Sequence, residues 1–358
     1  MHASVDCAAF RDYNAASERR PCMIRVGVVG AVGYGGRELI RLLCNHPETQ
    51  LAAAVEIESG QRLDELLPQF RGLTDVVCEV FDAARLKERC DVVFIAVPGT
   101  KSMDIGAALR AADIRTIDMG PDFRIKDPAL YTQYYNIEHT APNLLPEAVY
   151  GLVPFFRDAL RDAQLVAVPG CYPASVIFPL KPLLGAPIAD VPIVVDTISG
   201  MSGAGRALHP AFHFTEMNEN VKAYKVGIHQ HTPEIEQLLE HRHLVQFTPH
   251  IGPYSRGILS TITVHVTEPF DPKPYYACYA DEPFVRVLCE GQLAELKFIR
   301  GSTFCDFGWV MDRRTNNLVI VSAIDNLVGG TAGMALQCLN VMFGLDERTG
   351  LCLGGMAP

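Results

Sequence analysis

The chain has 358 residues and a mass of 39.3 kDa, enough for two domains with separate cores. Apolar residues make up 49% and charged residues 20%, which excludes an intrinsically disordered protein. A net charge of −10 argues against nucleic acid or an anionic membrane as partner, and no apolar run approaches the roughly 20 residues of a membrane span.

Residues 1–22 carry Asp6, Asp12 and Glu18 without the apolar stretch of a secretory signal, and read as a disordered extension. Met23 to Val26 then begins a strand that runs into Gly27-Val28-Val29-Gly30-Ala31-Val32-Gly33-Tyr34-Gly35-Gly36. In the helix predicted next, Leu39, Ile40, Leu42 and Leu43 share one face. Strand, glycine turn and helix form the dinucleotide-binding arrangement, in which backbone approaches a pyrophosphate at a helix N-terminus. Gly30, Val32, Gly33, Tyr34 and Gly35 are the expected cofactor contacts.

Apolar runs at Leu51–Val55, Asp91–Val97, Arg115–Asp118 and Leu165–Val168 alternate with helical stretches, as βαβ units do. They predict a doubly wound parallel sheet of Rossmann type over residues 23–168. Ligands of such sheets lie beyond the strand ends, which here carry Pro98 and Arg124.

Val168-Pro169-Gly170-Cys171-Tyr172-Pro173 is built to present a thiol. Two prolines and a glycine shape a turn between a strand and a predicted helix, where N–H groups favour a thiolate. Beyond it, β-rich runs at Val191–Ile198, Gly257–Val266, Phe298–Arg300 and Leu318–Ala323 predict an α+β substrate and dimerisation domain over 169–325, with a mixed or antiparallel sheet. A C-terminal helix over 326–345 is expected to pack back on the first domain. Ser199 to Arg206 is a second glycine-rich loop; Ser202, Gly203 and Arg206 suit an anionic substrate group.

His229-Gln230-His231-Thr232-Pro233-Glu234 supplies proton-transfer partners. His229 or His231 serves as acid, base and thiolate partner, Glu234 orients one of them, and Thr232 caps a helix with Pro233 in its first position. A zinc pair is the competing reading, but no third ligand follows, so no metal site is expected. The 11 scattered cysteines lack any C-x-x-C pair and fit a reducing cytoplasm.

These segments, together with Tyr150-Gly151-Leu152, Phe247-Thr248-Pro249-His250, Arg256-Gly257-Ile258-Leu259, Phe304-Cys305-Asp306 and Asp325-Asn326-Leu327, resemble the N-acetyl-gamma-glutamyl-phosphate reductases. That family lies in the aspartate-semialdehyde dehydrogenase-like superfamily, and the matches run in its order over nearly the whole chain. The resemblance implies NADPH-dependent reduction of an acyl phosphate through a thioester on Cys171. It also implies Asn326 at the cofactor, Arg124 and Arg256 at the substrate, and a homodimer or homotetramer. This chain has Gln230 where the family usually has arginine. Glu56 follows the second strand, where a carboxylate bonds the ribose of NAD and repels a 2′-phosphate, so NAD stands beside NADP. Another acyl-phosphate reductase is the nearest alternative. A non-catalytic dinucleotide sensor is the alternative of a different class, and an intact Cys171 counts against it.

Overall fold

The computed structural model describes residues 23–57, 59–351 and 354–357. The extension expected over residues 1–22 lies outside them. Seven strands form the first sheet: β1 Ile24–Val29, β2 Thr49–Val55, β3 Cys78–Glu79, β4 Val92–Ile95, β5 Arg115–Asp118, β6 Val149–Tyr150 and β7 Leu165–Ala167. Their order is β3-β2-β1-β4-β5-β7-β6, every pairing parallel. Val92 to Ile95 is buried throughout, as a strand covered on both faces requires. Strand order reverses between β1 and β4, so the crevice beyond their C-terminal ends is the expected ligand position.

The second sheet holds β8 Ile193–Gly200, β9 Lys222–Ala223, β10 Val245–Gly252, β11 Ile258–His265, β12 Val285–Val287, β13 Cys305–Asp312 and β14 Asn317–Ile324, in the order β12-β13-β14-β11-β8-β10-β9. It is mixed: β8 with β10 and β12 with β13 are parallel, the other pairs antiparallel. β11 alternates buried and partly exposed positions, the signature of a strand with one face in the core. Phe298 to Arg300 is no strand. Leu296–Phe298 closes a short 3₁₀ turn instead, and the N–H groups of Ile299 and Arg300 both bond the Leu296 carbonyl.

The Cys171–Leu180 helix follows β7 and lies on the second sheet, with nine of its ten residues buried; it packs on β11 and β14 and on the His231–Leu238 helix. A π-helical turn at Val328–Ala332 leads into the Gly333–Met342 helix, which is buried along its length and packs against the helices Val153–Arg161 and Tyr34–Leu43.

Candidate active site

A cavity of about 760 Å³ opens between the ends of the first sheet's strands and the edge of the second. Gly99, Thr100, Pro121 and Arg124 line it from the first sheet, and Ser199, Gly203, Lys222 and Ile251 from the second. Cys171, Tyr172, His229 and His231 line it as well, so the predicted thiol and both histidines meet.

Cys171 is the first residue of its helix, following Gly170 at the N-cap, and no side chain caps that end. The free N–H groups of the first turn therefore face the thiol. Burial pushes the thiol up to about 11, while Arg124 and the backbone N–H groups of Tyr172 and Cys171 pull it down. A β-carbon on Gly170 would lie 2.6 Å from His231 Nε2, so only glycine lets this imidazole lie against the turn carrying the nucleophile.

The histidine rings stand 4.7 Å apart, centroid to centroid. The backbone N–H of His231 donates to His229 Nδ1 at 3.1 Å, which leaves the ring proton of neutral His229 on Nε2. Burial lowers His229 to about 3, with Lys225 adding to it. His231 is lowered well below an ordinary histidine by burial, by His229 and by Arg124. Its Nδ1 is buried without a hydrogen-bond partner. Both rings are neutral at pH 7. Among the described residues no cluster of three His, Cys, Asp or Glu gathers for a metal.

Glu234 orients no histidine. Its buried Oε1 accepts hydrogen bonds from Tyr150 Oη at 2.7 Å and from the Gly170 N–H at 2.8 Å, and Oε2 lies 3.6 Å from Arg124 Nη1. It holds the cysteine turn from behind. The helix starts at His231, with Gln230 rather than Thr232 at the N-cap, because the Thr232 N–H already closes a turn onto the His229 carbonyl. Thr232 Oγ1 is buried without a partner.

Arg124 reaches the cavity, but Nε donates to the Val168 carbonyl at 2.7 Å and Nη2 to the Met119 carbonyl at 3.0 Å. Its guanidinium is largely committed to the scaffold. Sequence reasoning missed Tyr224, whose hydroxyl donates to Tyr172 Oη at 3.1 Å, and the cavity-lining Lys222, Lys225 and Tyr135. Tyr224 and Lys225 stand five and four residues before His229, and that closeness in sequence was the available signal.

A second cavity, about 410 Å³, adjoins the first through Ala204 and Phe212, which line both. Tyr34, Ser202, Arg206 and Arg256 line it. Arg256 donates to Glu38 Oε2 at 2.5 Å, and Nη1 lies 3.7 Å from Asp325. Asn326 is buried and ties the anion loop to the neighbouring turn: Nδ2 donates to Ser202 Oγ, and Oδ1 accepts from the Gly257 N–H. Pro98 is exposed, and its neighbours Gly99 and Thr100 face the first cavity in its place.

The glycine turn fits a dinucleotide. Gly30 has φ +85°, and a β-carbon there would lie 2.6 Å from the Ala96 carbonyl oxygen. Gly33 caps the Tyr34–Leu43 helix without any side-chain hydrogen bond, leaving N–H groups for an anion. Glu56 accepts the Val32 N–H at 2.6 Å.

Residues 25–163 match the model of the semialdehyde dehydrogenase NAD binding domain, and residues 171–326 that of the semialdehyde dehydrogenase dimerisation domain. The N-acetyl-gamma-glutamyl-phosphate reductase of Desulforudis audaxviator (strain MP104C) is 46% identical over 346 residues, 94% of this chain and 100% of that one. Its counterpart in Halorhodospira halophila (strain DSM 244 / SL1) is 47% identical over 338 residues, 92% of this chain and 98% of the other. Among solved structures, aspartate semialdehyde dehydrogenase with NADP from Candida albicans superposes with a TM-score of 0.66 at 17% identity, over 90% of this chain and 98% of that one. With its thiol and histidines in one cavity, Tyr34 of the glycine turn in the adjoining one, and relatives matched nearly end to end, this chain belongs to the N-acetyl-gamma-glutamyl-phosphate reductase family.

Proposed function

We propose that the enzyme reduces N-acetyl-gamma-glutamyl phosphate to N-acetyl-glutamate 5-semialdehyde and phosphate, a step of arginine biosynthesis, with Cys171 as nucleophile. The observation that carries this reading is Cys171 at an uncapped helix N-terminus, in one cavity with two neutral histidines. Family membership supports NADPH as cofactor; Gly30, Val32, Gly33, Tyr34 and Gly35 would hold it, and it would supply a hydride.

With its pKa pushed up to about 11 by burial, the thiol is largely protonated at pH 7. Deprotonation is therefore concerted with attack, and His231 Nε2, lying against the Gly170 turn, takes the proton as Sγ bonds the acyl carbon. The carbon–oxygen bond to phosphate breaks, the departing phosphate takes up a proton from solvent and leaves as hydrogen phosphate, and Cys171 holds the acyl group as a thioester. The imidazolium would give its proton to the carbonyl oxygen when that carbon is reduced. The proton passes back as the carbon–sulfur bond breaks, which releases the aldehyde and the free thiol. His229 Nε2–H remains a donor facing the same cavity. Arg124 steadies negative charge at sulfur, and Ser202, Gly203 and Arg206 border the space for the anionic end of the substrate.

The dimerisation-domain match supports a homo-oligomer, and our reading is a homodimer or homotetramer. The described cysteines are free thiols, which supports a cytoplasmic setting. The test is phosphate-dependent reduction of NADP⁺ by the semialdehyde, with wild type and Cys171→Ser compared. Wild type should turn over and the variant should lose at least about a thousandfold in kcat. A folded wild type without activity would refute the proposal.

A further inference from the structure

Gly30 donates its N–H to the Val55 carbonyl at 2.9 Å, which places the end of β2 directly against the glycine turn. Glu56 is the next residue, half-buried, with Oε1 held by the Val32 N–H. In a Rossmann unit, the carboxylate at the end of the second strand meets the adenosine ribose, and its oxygens accept from the ribose hydroxyls. Oε2 of Glu56 makes no hydrogen bond among the described residues and is left for such a hydroxyl.

A 2′-phosphate would bring a second anion to the same point. It would lose the Val32 amide as a donor, since the carboxylate already occupies it, and Val32 has no hydroxyl to offer instead. Sites for a 2′-phosphate supply a cation, and two arginines near these strand ends are held by carboxylates. Arg62 is bidentate to Asp64. Arg89 bonds Glu79 and the Ala52 carbonyl. Arg37 donates Nε to the Val32 carbonyl, lies over the Tyr34 ring and is near Arg206. Among the described residues no cation lies within 4.0 Å of Glu56, since the ion pairs of this region join other carboxylates.

We propose that Glu56 sets the nicotinamide choice of this enzyme, and that the site holds NADH at least as tightly as NADPH. The inference rests on the dinucleotide site of the proposed function. Purified wild type, Glu56→Gln and Glu56→Ser are titrated with NADH and with NADPH, and binding is followed by nicotinamide fluorescence. Wild type should show a Kd for NADH at or below that for NADPH. Glu56→Gln keeps an acceptor for Val32 but removes the charge, and should shift the ratio towards NADPH by at least about tenfold. Glu56→Ser should shift it further. A wild type that holds NADPH more tightly, or variants that leave the ratio unmoved, would overturn the inference alone. Failure of wild type to bind either nucleotide would overturn the dinucleotide site and the inference together.

Discussion

Glu234 raises the thiol's pKa through its charge and at the same time fixes the turn that presents the thiol. These roles separate on substitution. Glu234→Gln removes the charge facing buried Arg124 and should cost about 3 kcal/mol in urea unfolding, as breaking a buried pair does. The Cys171 pKa, read from the pH dependence of iodoacetamide alkylation, should fall, because the first effect is gone. The kcat should fall at least about tenfold, because the turn is loosened. A variant with an unmoved thiol pKa would show that Glu234 acts through packing alone. The histidines set the acid limb of stability. Their folded values lie below the unfolded value, so the neutral forms stabilise the fold above about pH 6.5, and this contribution is lost as pH falls towards 3. Each buried ring then contributes at most about 1.4 kcal/mol per pH unit, and His229→Gln should make unfolding free energy fall less steeply between pH 6 and 4.

At the scale of elements, the glycine turn bears the strictest local demand. Gly30→Ala would bring a β-carbon onto the Ala96 carbonyl in a left-handed backbone, at a cost of about 2–4 kcal/mol. Calorimetric titration should find nicotinamide binding weakened at least tenfold; unchanged affinity would place the dinucleotide elsewhere. This turn and the Cys171 turn were legible in the sequence because glycine and proline write backbone geometry directly into the chain. Strands β10 and β13 were not. Pro249 interrupts the pattern of β10, yet it is tolerated because the edge strand β9 pairs only with His250 and Ile251. Gly308 does the same in β13, where a β-carbon would strike the Gln292 carbonyl. Nor was the assignment of cations legible. Arg124 and Arg256 were visible as charges beside an anionic site, but their partners lie 44 and 218 residues away: the first depends on β5 pairing with β7, the second on how the two sheets meet.

That meeting is a property of the whole molecule. The thiol rides on a helix packed on the second sheet, whereas the glycine turn belongs to the first, so their separation depends on polar ties between the two parts. Gln237 bonds both the Lys126 N–H and the Arg124 carbonyl, and Arg157 pairs with Glu282 and Glu347. The tie nearest the second cavity is Arg256 with Glu38, a buried carboxylate on the helix that follows the glycine turn. Burial opposes the charge on Glu38, but hydrogen bonds from Arg256 and Arg41 hold its pKa below the ordinary value. Glu38→Gln and Arg256→Met should therefore each destabilise the fold, and a double-mutant cycle in urea should return a coupling of about 1–3 kcal/mol. If the pair also sets the gap between nicotinamide and thiol, both single variants should lower kcat while leaving Cys171 alkylation unchanged, since neither residue touches sulfur. Additive unfolding energies with an unaltered kcat would mean that the other ties alone hold the crevice to its working width.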